Sequence, residues 1–86
     1  MFYTVYILYS YKDHKLYVGC TSDLDKRLER HNAGNVIATR NRRPLVLIHQ
    51  ESFENKTTAF NRERFLKSLW ASREKRGLLQ KYLEHI

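Results

Sequence analysis

The chain predicts a small single α/β domain of the α+β kind: a three-stranded antiparallel sheet flanked by three helices, in the order β-β-α-β-α-α over residues 1–86. Two segments near the start are dense in aromatic and β-branched residues and are separated by a polar turn. Three later segments carry helix-start residues or apolar residues at helical spacing. One short all-aliphatic run lies between them.

Phe2 to Tyr9 has the composition of a strand. Ser10 to His14 is polar, contains Asp13 and reads as a turn, and Lys15 to Cys20 returns as the second strand of a hairpin. Ser22-Asp23-Leu24-Asp25 has the form of a capping box, with Ser22 as N-cap and Asp25 three residues later. Leu24 and Leu28 give that first helix a narrow apolar stripe, and Asn32-Ala33-Gly34 ends it, Gly34 being able to take the left-handed conformation. Asn35 to Pro44 is a basic loop with Arg40, Arg42 and Arg43. Leu45 to Ile48 predicts a buried third strand. Asn55 or Thr57 caps a second helix that runs through Trp70. Ser72 caps a third, in which Leu78, Leu79, Tyr82, Leu83 and Ile86 recur at helical spacing and Gly77 lowers the intrinsic propensity.

The formal charge is +7 and the pI about 9.8, which suits a polyanionic partner, most simply nucleic acid, and equally a merely solvated basic surface. Hydrophobic residues make up 42% of the chain, enough for a packed domain. The basic residues do not gather on one amphipathic helix, and no apolar run reaches spanning length, so a membrane partner is not expected. Cys20 is the only cysteine, which leaves no internal disulfide and no thiolate zinc cage. Met1-Phe2-Tyr3 lacks the charged start of a secretory leader, so the expected location is cytoplasmic.

Side chains alternate across a strand, so Tyr6 and Tyr17 share one sheet face. A four-residue turn would set them opposite each other, and a shift of two would keep them on that face. Gly19 leaves a bare patch beside them where a substrate could approach. Arg27 and His31 lie one helical turn apart at the border of the Leu24–Leu28 stripe. Arg27 presents a planar fork suited to phosphate oxygens, and an unperturbed histidine exchanges a proton near neutral pH. Taken alone, the pair reads first as a solvated basic flank, with Lys26 and Arg30. Glu63 falls in the expected inward row of Ala59, Leu66 and Trp70, where a carboxylate must pair with a cation or hold a metal ion that keeps most of its waters, as magnesium does. His14, His49 and His85 share no ligand spacing, and Cys20 reads as a small packing residue.

Thr4-Val5-Tyr6, Tyr17-Val18-Gly19 and the run from Tyr17 to Asn32 together resemble the GIY-YIG nuclease superfamily, over nearly the whole chain. The likeness is greatest to its small stand-alone bacterial branch, a group often catalogued as an uncharacterised protein family. Thr39, Arg43-Pro44, Glu51, Ala59 through Arg62-Glu63, Leu66-Lys67, Ser72-Arg73 and Lys75 extend it. The resemblance implies one-step, metal-dependent hydrolysis of a phosphodiester in DNA, in repair or recombination. Tyr6 and Tyr17 would be the motif tyrosines, one of them helping to deprotonate water. Arg27 would hold the scissile phosphate, His31 would assist proton transfer, and Glu63 would hold a single Mg2+ or Mn2+ ion. Lys26, Arg30, Arg40, Arg42, Arg43 and Lys67 would contact the nucleic acid. Two positions depart from the pattern: Thr4 stands where the first motif has glycine, and Cys20 where the repair nuclease has lysine. A nucleic-acid-binding module with weak or no catalysis is the alternative. A third reading, an adaptor docking through Trp70 and the last helix, requires residues that are expected to be core.

Overall fold

The computed structural model describes residues 2–86. The strands are β1 (Tyr3–Ser10), β2 (Leu16–Thr21) and β3 (Leu45–Phe53), and the helices are α1 (Leu24–Asn32), α2 (Lys56–Lys67) and α3 (Ser72–Glu84). Short 3₁₀ turns occupy Arg40–Arg42 and Leu69–Ala71. The element order is the expected one, and the strands lie antiparallel as β2-β1-β3.

β1 is central and is buried from Val5 to Ser10, because both of its faces are covered. Alternation sends Val5 and Ile7, with Val18, toward Ala59 and Leu66 of α2, Ala71, and Leu78 of α3. It sends Tyr6 and Leu8 to the other face, where Leu24 and Leu28 of α1 cover them. The sheet is thus sandwiched between α1 and the α2–α3 pair.

The structure moves several boundaries. β3 continues past Ile48 to Phe53 because Gln50 and Glu51 pair with Tyr6 and Val5, after a bulge opposite Ile7/Leu8. Glu51 is satisfied there by Arg62, whose Nε and Nη2 donate to its two oxygens at 2.8 and 2.9 Å. Arg62 also binds Glu74 of α3, and His49 Nε2 lies 2.7 Å from Glu51, so one guanidinium ties β3, α2 and α3 together. Arg62 chiefly, with help from His49, holds the Glu51 carboxyl down at about 2.

The N-cap of α1 is Asp23 rather than Ser22, since Asp23 Oδ1 accepts the Lys26 N–H at 3.2 Å. Gly34 does take the left-handed conformation, at φ 80°. Asn55, not Thr57, caps α2, accepting the Thr58 N–H at 3.0 Å. That helix ends at Lys67 and not at Trp70. Ser68 turns to an extended conformation, and its hydroxyl donates to the Phe65 carbonyl at 2.5 Å. The break removes Trp70 from the inward row: it is 88% exposed, while Ala71 is fully buried. Ser72 opens α3, but its side chain makes no cap bond and Ala71 holds the cap position.

Candidate active site

Gly19, not Tyr17, is the partner of Tyr6 in the β1–β2 ladder, and Tyr17 pairs with Leu8. This is the two-residue shift, so the phenols still share the α1 face, with ring centroids 6.4 Å apart. Glycine is needed at 19 for a steric reason. A Cβ built there would stand 2.4 Å from both Cζ and the hydroxyl oxygen of Tyr6. Its absence lets the Tyr6 ring lie across β2.

α1 brings up the other two groups. His31, on its last turn, is 1% exposed, and its Nε2 lies 2.9 Å from the Tyr6 hydroxyl. Its Nδ1 lies 2.7 Å from the hydroxyl of Thr39, which is itself buried. The imidazole meets the rings of Tyr6 and Tyr17 edge-on, at 5.8 and 5.2 Å. One turn earlier, Arg27 Nε donates to the Tyr6 oxygen at 3.3 Å. Tyr6, Tyr17, Arg27 and His31, spread over two strands and a helix, are therefore one cluster.

Burial, then the charges of Arg27 and Arg30, push His31 down to about 4. The expectation of a histidine exchanging protons near neutrality is corrected: the ring is neutral at pH 7. Burial likewise raises the Tyr6 phenol, against the opposing hydrogen bond from Arg27. Arg27 is held more firmly charged than usual, first by that bond and then by nearby Tyr17. Tyr6, His31 and Thr39 form a row in which every member can both donate and accept. Either imidazole tautomer fits it, and protons can shift along it. With Nε taken by Tyr6, the terminal nitrogens of Arg27 remain for a phosphate.

Glu63 lies on α2, which packs on the opposite sheet face. Its side chain is 22% exposed, with a carboxylate oxygen 3.2 Å from Lys67 Nζ one turn on. Burial raises the Cys20 thiol, and the Glu63 charge adds to that rise. α2 packs against β2, the edge strand, as well as against β1. No group of three or more His, Cys, Asp or Glu able to hold a metal occurs among the described residues. One partly open carboxylate suits a hard cation that takes its remaining ligands from water and phosphate oxygens.

The expected nucleic-acid contacts divide. Lys26, Arg30, Arg40 and Lys67 are exposed. Arg42 is engaged inside the domain: its Nε donates to Asp13 at 2.6 Å and its Nη2 to the Leu16 carbonyl at 3.3 Å. Arg43 closes the end of α1, donating to the carbonyls of Arg40 and Asn32 at 3.0 and 3.4 Å while its guanidinium lies against Gly34. Both were expected on the nucleic acid, and both have intramolecular work because the loop that carries them must be held to the hairpin and to α1. Thr39 was not among the residues nominated for the site. A threonine in a basic loop has no marker of its own, and only its place among the later positions that extend the family resemblance points to it.

The family model for the GIY-YIG catalytic domain matches residues 2–76. The chain belongs to the GIY-YIG family. This GIY-YIG chain is 47% identical over 66 residues to a UPF0213 protein of Clostridium perfringens, spanning 76% of this chain and 70% of that relative. It is 40% identical over 73 residues to a UPF0213 protein of Natronomonas pharaonis, spanning 84% and 85%. The solution NMR structure of a UPF0213 protein from Bacillus halodurans is similar at a TM-score of 0.58 and 36% identity, covering 93% of this chain and 84% of that one. The relatives come from bacteria and archaea, so the group is wider than the bacterial branch. Membership makes this a nuclease-family domain suited to nucleic acid, in a family generally dependent on divalent metal. No helix among the described residues is long and apolar enough to cross a membrane.

Proposed function

We propose that the protein is a cytoplasmic, divalent-metal-dependent endonuclease that hydrolyses phosphodiester bonds in DNA, in repair or recombination. The observation that carries this reading is the Arg27–Tyr6–His31 constellation, in which a buried phenol aims a guanidinium and a neutral imidazole backs the phenol. Tyr17, the less buried phenol, meets the attacking water. Tyr6 holds Arg27 Nε, and the remaining guanidinium nitrogens grip the scissile phosphate and steady its gathering charge. His31, neutral above about pH 4, is the hydrogen-bond partner that orients the Tyr6 hydroxyl beneath Arg27. Glu63 would hold one magnesium or manganese ion, which when bound supplies positive charge beside the leaving oxygen. Lys26, Arg30, Arg40 and Lys67 hold the flanking backbone.

The test is a panel of labelled single-stranded, duplex, nicked, flap and four-way DNA, with RNA alongside, incubated with magnesium, manganese or chelator. Arg27→Ala and Glu63→Ala are expected to fold normally and to lose cleavage by about 100-fold or more. Parent-like cleavage by both variants would eliminate the proposal. The Lys67–Glu63 pair favours one second reading, a binding module in which the ammonium has replaced the metal. Tight DNA binding that is indifferent to chelator and yields no product would select it.

A further inference from the structure

Beyond the reaction centre, two side chains stand out of the fold. Leu69 is 91% exposed and its neighbour Trp70 is 88% exposed, on the 3₁₀ turn between α2 and α3. The turn is held firmly at both ends. The Ser68 hydroxyl and N–H both donate to the Phe65 carbonyl, the Ala71 N–H donates to the Ser68 carbonyl at 3.3 Å, and Ala71 is sealed in the core. The backbone therefore presents an indole and an isobutyl group to water on a fixed knuckle, a costly arrangement unless something covers them.

The charges around the knuckle select the occupant. Arg64 and Lys67 precede it and Arg73 follows it. Among the described residues, neither Arg64 nor Arg73 forms an ion pair, and all three cations are exposed. A second copy of this chain would set these cations against their own images. A polyanion with π-faces meets both needs at once, as on single-strand-binding surfaces, where bases stack on aromatics while cations track the phosphates. The knuckle also follows directly on the last turn of α2, where Lys67 pairs with Glu63 at 3.2 Å.

We propose that Leu69 and Trp70 are a stacking platform for an unpaired base, so that the preferred substrate carries single-stranded nucleotides beside the scissile bond. This deepens the nuclease reading and rests on it for the word substrate, but not for the stacking itself.

Trp70 is the only tryptophan, so its fluorescence reports the platform directly. The full chain, in chelator, is titrated with three probes: a single-stranded oligodeoxynucleotide, an abasic chain of the same length and charge, and a duplex. The single strand is expected to quench the emission, with little effect from the other two. Trp70→Ala is expected to weaken single-strand binding, followed by anisotropy of a labelled oligonucleotide, by about 5- to 150-fold, the range for one stacked base. Trp70→Phe is expected to restore part of the affinity, and the melting temperature should stay unchanged because the side chain packs on nothing. Equal quenching by the abasic chain, or unchanged binding by Trp70→Ala, would overturn the platform. Concentration-dependent quenching without any nucleic acid, matched by a dimer in sedimentation, would assign the patch to a second copy and overturn it too. Arg27→Ala separates the two proposals: it is expected to abolish cleavage, while saturating single strand still quenches Trp70.

Discussion

The two faces of the sheet are packed by different chemistry. Toward α1 the central strand presents Tyr6, whose buried hydroxyl leads through His31 to Thr39 and outward to Arg27. Toward α2 and α3 it presents Val5 and Ile7, which meet Ala59, Leu66 and Ala71 in a dry aliphatic layer. The second face leaves its charges to the rim, where Arg62 joins Glu51 and Glu74. One strand thus holds the phenol–imidazole–guanidinium cluster on one side and the main apolar core on the other. The alternation of strand residues keeps them apart, so that burying polar groups for chemistry does not interrupt the packing that holds the domain.

Acid should discriminate between the faces most strongly. Folded His31 titrates at about 4, below its ordinary 6.5. Between those values the unfolded chain binds the additional proton, so stability complete above pH 6.5 is lost as the pH falls, by about 3 kcal/mol in all. Denaturant melts of the parent should show the slope, and His31→Gln should flatten it between pH 6.5 and 4.5. Below that window Glu51, held at about 2, adds a loss of its own. An unchanged slope in His31→Gln would mean that the α1 face does not carry the acid sensitivity.

Arg62→Ala comes next. It leaves the Glu51 and Glu74 carboxylates without their shared partner and should cost about 2 kcal/mol, or roughly 10 °C in the thermal midpoint. Cleavage per folded molecule, measured well below the transition, should stay within about twofold. A loss of cleavage like that of Arg27→Ala would erase the division between the faces.

Gly19→Ala works from the other side. The new methyl would meet the Tyr6 ring and hydroxyl at 2.4 Å, so the phenol must move off β2. Overpacking of this kind costs about 1–2 kcal/mol. Cleavage should drop further than stability does, because Arg27 Nε loses its aim. Full activity with an unshifted tyrosine spectrum would count against this account of Gly19.

The smallest effect is expected from Thr39→Val, which keeps the shape but removes the partner of His31 Nδ1. About 1 kcal/mol of stability should go, together with part of kcat, and Thr39→Ser should restore both. A valine variant with the parental pH profile would reduce Thr39 to a packing residue.

Much of this was legible in the residue order, and the exceptions have local causes. The hairpin and the shared face of Tyr6 and Tyr17 follow from alternation, which survives a shift of two. Ser22 and Asp23 are both competent caps, so composition alone did not choose between them. β3 looked four residues long because His49, Gln50 and Glu51 break its apolar run, and the guanidinium that makes them tolerable comes from a distant helix. Trp70 reads as core only while the helical period runs on through Ser68, where one hydroxyl closes the helix. Arg42 and Arg43 looked like phosphate contacts since a loop cation carries no sign of whether an Asp13 or a helix end awaits it. His31 was placed at a border, and its full burial depends on Thr39 folding over it.

Tyr6 belongs to the strand on which everything else leans, hydrogen-bonded on both sides and roofed on both faces. Amides in such a strand exchange with deuterium only through global opening. Tyr6 therefore has no private route to disorder of the kind open to a residue on a catalytic loop. On warming, the setting of this phenol and the fold should be lost in one cooperative transition.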